Sequence, residues 1–310
     1  MTDPHISVVV LNYKRRAELE RVIQSAQAQS HGSFEIVVAD NASGDGTVEW
    51  LQAAYPSVRL VALEQNLGCG GRNRGVQAAR GEIVVTLDND VRFDSPFELQ
   101  KIANAFQELP DASAIVFKIL YDGTGRLHLR DWCHPRSFLE YADRAFETSY
   151  IPEGACAFRR SEFLKLGGYY EPFLIGGEGW DLALRIIDAS QKIVYRPEIR
   201  VRHAMAQETR AGRTPYYMLT RNRLWIAFKN YSGARRAGFI LNGMAGAFFY
   251  SIKNRCVSDF LRGVRDGLRG RKQLPATIVC REGWRRFDEI QKHRPGWPTR
   301  LKTHWAHRDI

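Results

Sequence analysis

The stretch Ile83-Val84-Val85-Thr86-Leu87-Asp88-Asn89-Asp90 leaves a chain few options. Its first five residues are apolar or β-branched and follow Gly81, the pattern of a strand buried on both faces of a parallel sheet. Such a strand rarely runs into two carboxylates, because ionised acids are costly to bury unless something positive meets them. Paired oxygen donors at the carboxyl end of a strand suit a hard divalent cation that is shared with a phosphate. An acidic turn after a strand would look the same in isolation, so the neighbouring stretches decide.

Upstream, His5–Leu11, Phe34–Ala39 and Val58–Leu63 read as three further strands. Helices separate them: Arg16–Gln29 sets Leu19, Val22, Ile23 and Ala26 at helical spacing, Thr47–Ala54 follows a loop of turn residues, and a third helix ends at Arg80. This alternation predicts right-handed crossovers and a mostly parallel central sheet flanked by helices, an α/β fold. Ligands of such sheets lie outside the carboxyl ends of the strands. The four strands end at Asn12, Asp40, Asn66 and Asp88, so polar side chains repeat along one edge. Asp40 is a candidate for a ribose hydroxyl or base, and Asn12 for a base edge. Gly68-Cys69-Gly70-Gly71 is neither a dinucleotide fingerprint nor a Walker A loop. It reads as a loop of close approach, with Arg72 and Asn73 aiming donors at the sheet edge.

Beyond Asp90, Pro96–Leu109 predicts a helix, and Ala114–Leu120 and Gly154–Arg160 predict strands. Gly176-Gly177 then breaks an apolar segment into an acid-led helix running to Ala189, with Glu178 and Asp181 three apart on one face. Acids in a first turn also suit the helix dipole. A last pair of strands, Lys192–Tyr195 and Ile199–Arg202, ends on His203.

Charge divides the chain. From Tyr216 onward 20 Lys and Arg face 6 Asp and Glu, whereas the preceding residues hold 25 and 28. Two parts with different partners are expected, at residues 1–215 and 216–310. Five scattered cysteines without a CxxC pair argue against a disulfide framework or zinc site and for a reducing compartment. The chain runs from Met1 almost directly into its first strand, and no apolar run reaches the roughly 20 residues of a spanning helix. A cytoplasmic location is expected, free or at the inner face of the membrane.

In order, the residues Val8–Tyr13, Asp40–Thr47, Asn66-Leu67-Gly68 through Arg74-Gly75, Leu87–Asp90, Gly154-Ala155, Gly167-Gly168-Tyr169, Gly177-Glu178 through Arg185 and Val201-Arg202-His203 form a set. The set resembles the family-two glycosyltransferases of the GT-A fold. It covers about two-thirds of the chain, to about Asn222, and its ordered motifs are far more specific than any one of them. The tail from Tyr216 resembles bacterial members that build surface polysaccharides, rhamnosyltransferases among them.

The resemblance implies a sugar transfer from a nucleotide-diphosphate donor to an acceptor hydroxyl, inverting the anomeric centre in one displacement. It implies that Asp40 holds the base or ribose, with Asn12, Tyr13 and Asn66 lining that pocket. Asp88-Asn89-Asp90 resembles the Asp-x-Asp motif, Asp88 serving the ribose or sugar and Asp90 holding Mg²⁺ or Mn²⁺ on the diphosphate. His203 matches the position of a further metal ligand. The family usually writes the acid turn Glu-Asp-x-Asp and uses the second acid as base, but this chain has Gly179 there. Glu178 is therefore the expected base, Asp181 the second candidate, and lost turnover the third outcome. Trp180 is expected either on the acceptor ring or in the core.

The expected partners are the donor, a saccharide or lipid-linked saccharide acceptor and, for the basic tail, an anionic membrane surface. A helical subdomain with a solvated basic face is the alternative, and no motif for reading nucleic acid is visible. Sugar-phosphate nucleotidyl transfer would require a glycine-rich loop after the first strand, where Asn12-Tyr13-Lys14-Arg15 stands. A sugar-nucleotide-binding protein with weakened catalysis is the remaining alternative, which Gly179 motivates.

Overall fold

The computed structural model describes residues 5–127, 132–204 and 214–296; Met1–Pro4 and the end of the basic tail, from residue 297, lie outside them. Four parallel strands form one half of the sheet: β1 (Ile6–Asn12), β2 (Phe34–Asp40), β3 (Arg59–Ala62) and β4 (Ile83–Asp88). The helices α1 (Arg16–Gln27), α2 (Thr47–Ala54) and α3 (Gly70–Ala78) connect them. The chain continues through β5 (Val91–Phe93), α4 (Glu98–Glu108), β6 (Ala112–Tyr121), the short α5 (Phe138–Tyr141) and β7 (Phe146–Glu147). Then come β8 (Ala155–Arg159), α6 (Arg160–Lys165), α7 (Glu178–Asp188) and β9 (Lys192–His203).

The strand order is β3-β2-β1-β4-β8-β6-β9-β5, with β7 on β9. Pairing is parallel from β3 to β4 and again between β6 and β9, but β8 enters antiparallel to both its neighbours. The sheet is thus more mixed than the strand–helix alternation predicts, because the crossover rhythm stops at Asp88. The two strands expected at 192–202 are one. Pro197 lacks an N–H to give to a neighbour, and the β6–β9 register jumps there, from Phe117↔Arg196 to Lys118↔Arg200. The chain bulges and continues to His203.

Side chains alternate across the sheet with the strand period. Val9, Val37 and Val84 face one layer with Val76 of α3 and Leu182 of α7. Val8, Val10, Val38 and Val85 face the other with Leu19 and Ile23 of α1 and Leu99 and Ile102 of α4. Each such side chain, fully buried, contributes roughly 1.5–3 kcal/mol relative to exposure.

Four helices follow the sheet: α8 (Thr214–Asn230), α9 (Gly233–Lys253), α10 (Val257–Gly270) and α11 (Arg281–Gln291). They are tied to the sheet layer rather than appended to it. Asn222 of α8 donates to the carbonyls of Phe173, Ile175 and Gly176, at 3.0, 2.9 and 2.6 Å. The N–H of Cys280, just before α11, donates to Asp188 at the end of α7 at 2.8 Å.

Gly68 joins the two sides of the sheet's carboxyl edge. With φ at +55°, it sits so close to the Leu174 carbonyl that a Cβ would lie 2.1 Å from that oxygen. The next residue, Cys69, donates its N–H to the same oxygen at 2.7 Å.

Candidate active site

Strand ends deliver most of the polar groups expected on this edge. Register pairs Asn12 with Asp40 across β1 and β2, and their side chains bond at 2.7 Å. Ser43 closes the cluster with its N–H and hydroxyl on Asp40, at 2.9 and 2.6 Å. Asn89 donates to Asn12 at 2.8 Å and to the Lys14 carbonyl at 3.2 Å. Asp40 is 1% exposed, so the network holds the loops after β1 and β2 in place, and what lies open beside it is Tyr13, 43% exposed. Lys14 and Arg15 turn the chain there through two left-handed residues, at φ 56° and 59°.

Asn66 is exposed and its side-chain Oδ1 accepts the Gly68 N–H at 2.8 Å. It shapes the glycine loop. Asn73 does not aim a donor at the sheet edge as its neighbour does. Its amide exchanges bonds with the backbone of Tyr169, at 2.8 and 2.9 Å, because α3 turns position 73 towards the Gly167-Gly168 turn. Arg72, one residue earlier, faces the site, buried and ion-paired with Asp88. Burial opposes its charge, but Asp88 and the nearby acids hold its pKa above the ordinary value.

Asp90 lies on the turn between β4 and β5. The pairing of β5 with β9 sets Val91 opposite His203, which brings His203 Nε2 to 3.7 Å from Asp90 Oδ1. Arg15 Nη1 lies 2.6 Å from the other Asp90 oxygen. Burial, then the charge of Asp88, raise the Asp90 pKa, while His203 and Arg15 counter them. Asp90 and His203 lie side by side, Asp88 is close enough to act on the Asp90 charge, and an arginine supplies positive charge to each acid. Hard oxygen donors with one imidazole fit Mg²⁺ or Mn²⁺. Among the described residues no group of three or more His, Cys, Asp and Glu side chains is placed to hold a metal ion, so a ligand and water would have to supply most of the donors. Arg15 stands where such a cation would approach Asp90, on a turn that leaves its side chain 28% exposed.

Glu178 opens α7 after Gly177, whose φ of 98° favours glycine. Glu178 is 4% exposed, and its Oε2 has no hydrogen-bond partner among the described residues. Burial and then the charge of Glu153 push its pKa up to about 8. Glu153, which sequence reading passed over, lies on the loop before β8. It accepts the Gly179 N–H at 2.8 Å, its carbonyl accepts the Thr86 hydroxyl of β4 at 2.8 Å, and Arg72, Asp88 and Glu178 all act on its charge. The only signal in the sequence is an acid preceding the expected Gly154-Ala155 strand, which does not reveal what it faces.

Asp181 does not share the position of Glu178. It is fully buried, bonded to Arg185 at 2.7 and 3.0 Å and to Lys229 and Asn230 of α8 at 2.7 Å each. Despite burial, Arg185 and Lys229 hold its pKa below the ordinary carboxylate value. Every oxygen is taken, so Asp181 fastens α8 to α7. Trp180 donates to Tyr231 at 3.2 Å and packs near Phe239 and Phe287. It is half-buried on the wall of a cavity of about 1340 Å³, which reaches from Gly176 and Gly177 to α9 and α11.

The mixed sheet with acids gathered at its carboxyl edge is the architecture of the GT-A glycosyltransferases. The family model Glycosyl transferase family 2 matches residues 7–167, and the chain belongs to that family. An N-acetylglucosaminyl-diphospho-decaprenol L-rhamnosyltransferase of Mycobacterium tuberculosis is 28% identical over 250 residues, 69% of this chain and 80% of the relative. The succinoglycan biosynthesis protein ExoO of Rhizobium meliloti is 43% identical over 89 residues, 28% of this chain and only 26% of that protein. The O-antigen chain rhamnosyltransferase WbaN of Salmonella anatum is 25% identical over 211 residues, 65% of this chain and 66% of the relative. Among solved structures, S. aureus TarS 1-349 in complex with UDP-GlcNAc superposes with a TM-score of 0.61 at 16% identity, over 94% of this chain and 89% of that one. GalNAc-T7 with UDP, GalNAc and Mn²⁺ gives 0.62 at 15%, over 94% and 58%. Family membership sets aside the nucleotidyl-transfer alternative.

Proposed function

We propose that the protein transfers a sugar from a nucleotide-diphosphate donor to an acceptor hydroxyl with inversion, in the synthesis of a bacterial surface polysaccharide. The observation that carries this reading is the facing of two groups across the sheet edge: Asp88, Asp90 and His203 on one side, and the acid start of α7 on the other, with Arg72 between them. The names of the relatives support the product class, since succinoglycan, O-antigen and a decaprenyl-linked saccharide are all bacterial glycans. The decaprenyl relative also favours a lipid-linked acceptor.

In this reading residues 1–215 carry the chemistry. Tyr13 offers a ring to the base, and the Asn12–Asp40–Ser43 network keeps the loop that bears it rigid. Asp88 addresses the ribose or sugar. Asp90 and His203 would hold Mg²⁺ or Mn²⁺, which when bound neutralises charge on the leaving diphosphate. Arg72 adds fixed positive charge beside Asp88, where its buried position makes it worth more than in water. A carboxylate beside the start of α7 takes the acceptor proton as the new bond forms; Glu178 and Glu153 both stand there. The cavity along Trp180 is bounded by Gly176 and Gly177, just before Glu178, and is wide enough for an acceptor with apolar parts.

Residues 216–310 would bring the acceptor near. Helix α9 exposes Leu241, Phe248, Phe249 and Ile252, with Phe249 78% exposed, on a strongly basic region. No described helix is long and apolar enough to cross a membrane, so α9 suits lying on an anionic surface. The reading is tested by thermal shift with UDP-, dTDP- and GDP-sugars, with Mn²⁺ or with EDTA. A rise that depends on one sugar nucleotide and on Mn²⁺ is expected. No shift with any of them would refute the transferase reading.

A further inference from the structure

Position 179 bears no side chain, yet the space it would use is not empty. A Cβ built on Gly179 would stand 2.6 Å from Glu153 Oε1 and 2.4 Å from the Ile151 carbonyl oxygen. Neither distance is tolerated between unbonded atoms, so nothing larger than hydrogen fits at 179 against the Ile151 backbone and the Glu153 carboxylate. The contact is also a bond: the Gly179 N–H, free in the first turn of α7 as such groups are, donates to Glu153 Oε1 at 2.8 Å. The start of α7 adds the positive end of its dipole. Any side chain at 179 would have to displace both the Ile151 backbone and the Glu153 carboxylate, so the Glu153 carboxylate can pack against the start of α7 only where position 179 is bare.

We propose that Glu153 is the carboxylate that takes the acceptor's proton, and that Gly179 is bare in order to admit it. This rests on the transferase reading above and names the base within it. The balanced step is a single displacement. The acceptor oxygen forms its bond to the anomeric carbon, the carbon–oxygen bond to the diphosphate breaks and its electron pair leaves with the diphosphate, and the hydroxyl proton passes to Glu153.

Glu178 has a different part in the pair. The Glu153 charge acts on Glu178, and carboxyls coupled in this way do not both ionise readily. Burial raises both and Arg72 counters it in both, but only Glu153 receives the Gly179 N–H, whereas Glu178 Oε2 receives no hydrogen bond among the described residues. Glu153 is thus the better hydrogen-bonded of the two, with its Oε1 on the Gly179 N–H. Asp181, fully engaged by Arg185, Lys229 and Asn230, takes no part.

The experiment compares Glu153→Gln and Glu178→Gln, using UDP-glucose, UDP-GlcNAc, dTDP-rhamnose and GDP-mannose with Mn²⁺. Two quantities are read: the thermal shift that each donor produces, and the rate of nucleoside diphosphate release with water as acceptor. Glu153→Gln is expected to keep the donor-induced shift and to lower the rate about 10²- to 10⁴-fold, while Glu178→Gln loses at least ten times less. Formate added to Glu153→Ala is expected to restore part of the rate, which a merely structural role would not allow. Should Glu153→Gln fail to fold, Glu153→Asp, which keeps the charge but shortens its reach, must show the same loss of rate with the shift retained. A wild-type rate in Glu153→Gln, or a greater loss in Glu178→Gln, overturns the assignment while leaving the transferase reading intact. No donor-induced shift in the wild-type protein overturns both.

Discussion

His203 Nε2 lies 3.7 Å from Asp90 Oδ1 because β5 and β9 run antiparallel with Val91 opposite His203. The backbone pairing, rather than a flexible loop, sets the distance. His203→Ala is expected to weaken the Mn²⁺-dependent part of the donor shift at least about tenfold in metal concentration, with the unfolding temperature in EDTA little altered. An unchanged Mn²⁺ titration would remove His203 from the ligand set.

Arg15 competes for the same carboxylate, at 2.6 Å from Asp90. Arg15→Ala removes that competitor and should move the Mn²⁺ titration to lower concentration. The pair is partly exposed and salt-screened, so the stability change stays within about 1 kcal/mol. A weaker response to Mn²⁺ in Arg15→Ala would mean that the arginine binds the donor instead.

The Glu178 carboxyl, raised to about 8 in the fold, makes stability depend on pH. A carboxyl raised on folding binds its proton more tightly in the native state. Its contribution is whole below the unfolded value, near 4.5, and is gone once pH passes the folded value near 8. Glu178→Gln has no such proton to lose. The melting temperature of the variant should therefore gain on the wild type as pH rises from 5 to 8 and hold its lead above that (roughly the window between the two values). Parallel pH profiles for the two proteins would show that Glu178 titrates normally.

Asp181→Ala tests the link between α7 and α8. It leaves the Lys229 ammonium buried without its acid, and removing one partner of a buried pair costs roughly 3–5 kcal/mol. Chemical denaturation should show this loss, and Asp181→Asn should recover part of it through Asn230. A change below about 1 kcal/mol would contradict the network.

Removing the tail is a poor test of membrane contact, because Lys229, Asn230 and Cys280 bond to α7. Leu241→Glu with Phe249→Glu alters only exposed side chains, 70% and 78% accessible. The double variant should sediment less with anionic vesicles than the wild type while keeping its melting temperature. Equal sedimentation would exclude α9 as the contact.

Much of the parallel β1–β4 half was legible in the sequence. Strands that carry runs such as Val8-Val9-Val10 and Val84-Val85 announce themselves, and the acids that end them stand out against apolar neighbours. Two things were hidden. Pro197 looks like a break between strands, but β6 tolerates the bulge, so His203 lies on the sheet and not beyond it. Pairings across the fold were hidden as well. Nothing near Asn73 says that Tyr169 will claim its amide, and nothing near Glu153 says that Gly179 will stand against it. Contacts made by tertiary packing leave no periodic trace, so the residues that decide the acid cluster were the least visible.

Gly68 and Cys69 both rest on the single carbonyl of Leu174. The glycine loop and the segment leading into α7 therefore behave as one jaw, and a displacement of either is transmitted to the other. Grafting the loop from a relative to change sugar preference would drag the opposing acids out of alignment, so swaps should exchange residues 66–75 and 167–177 together.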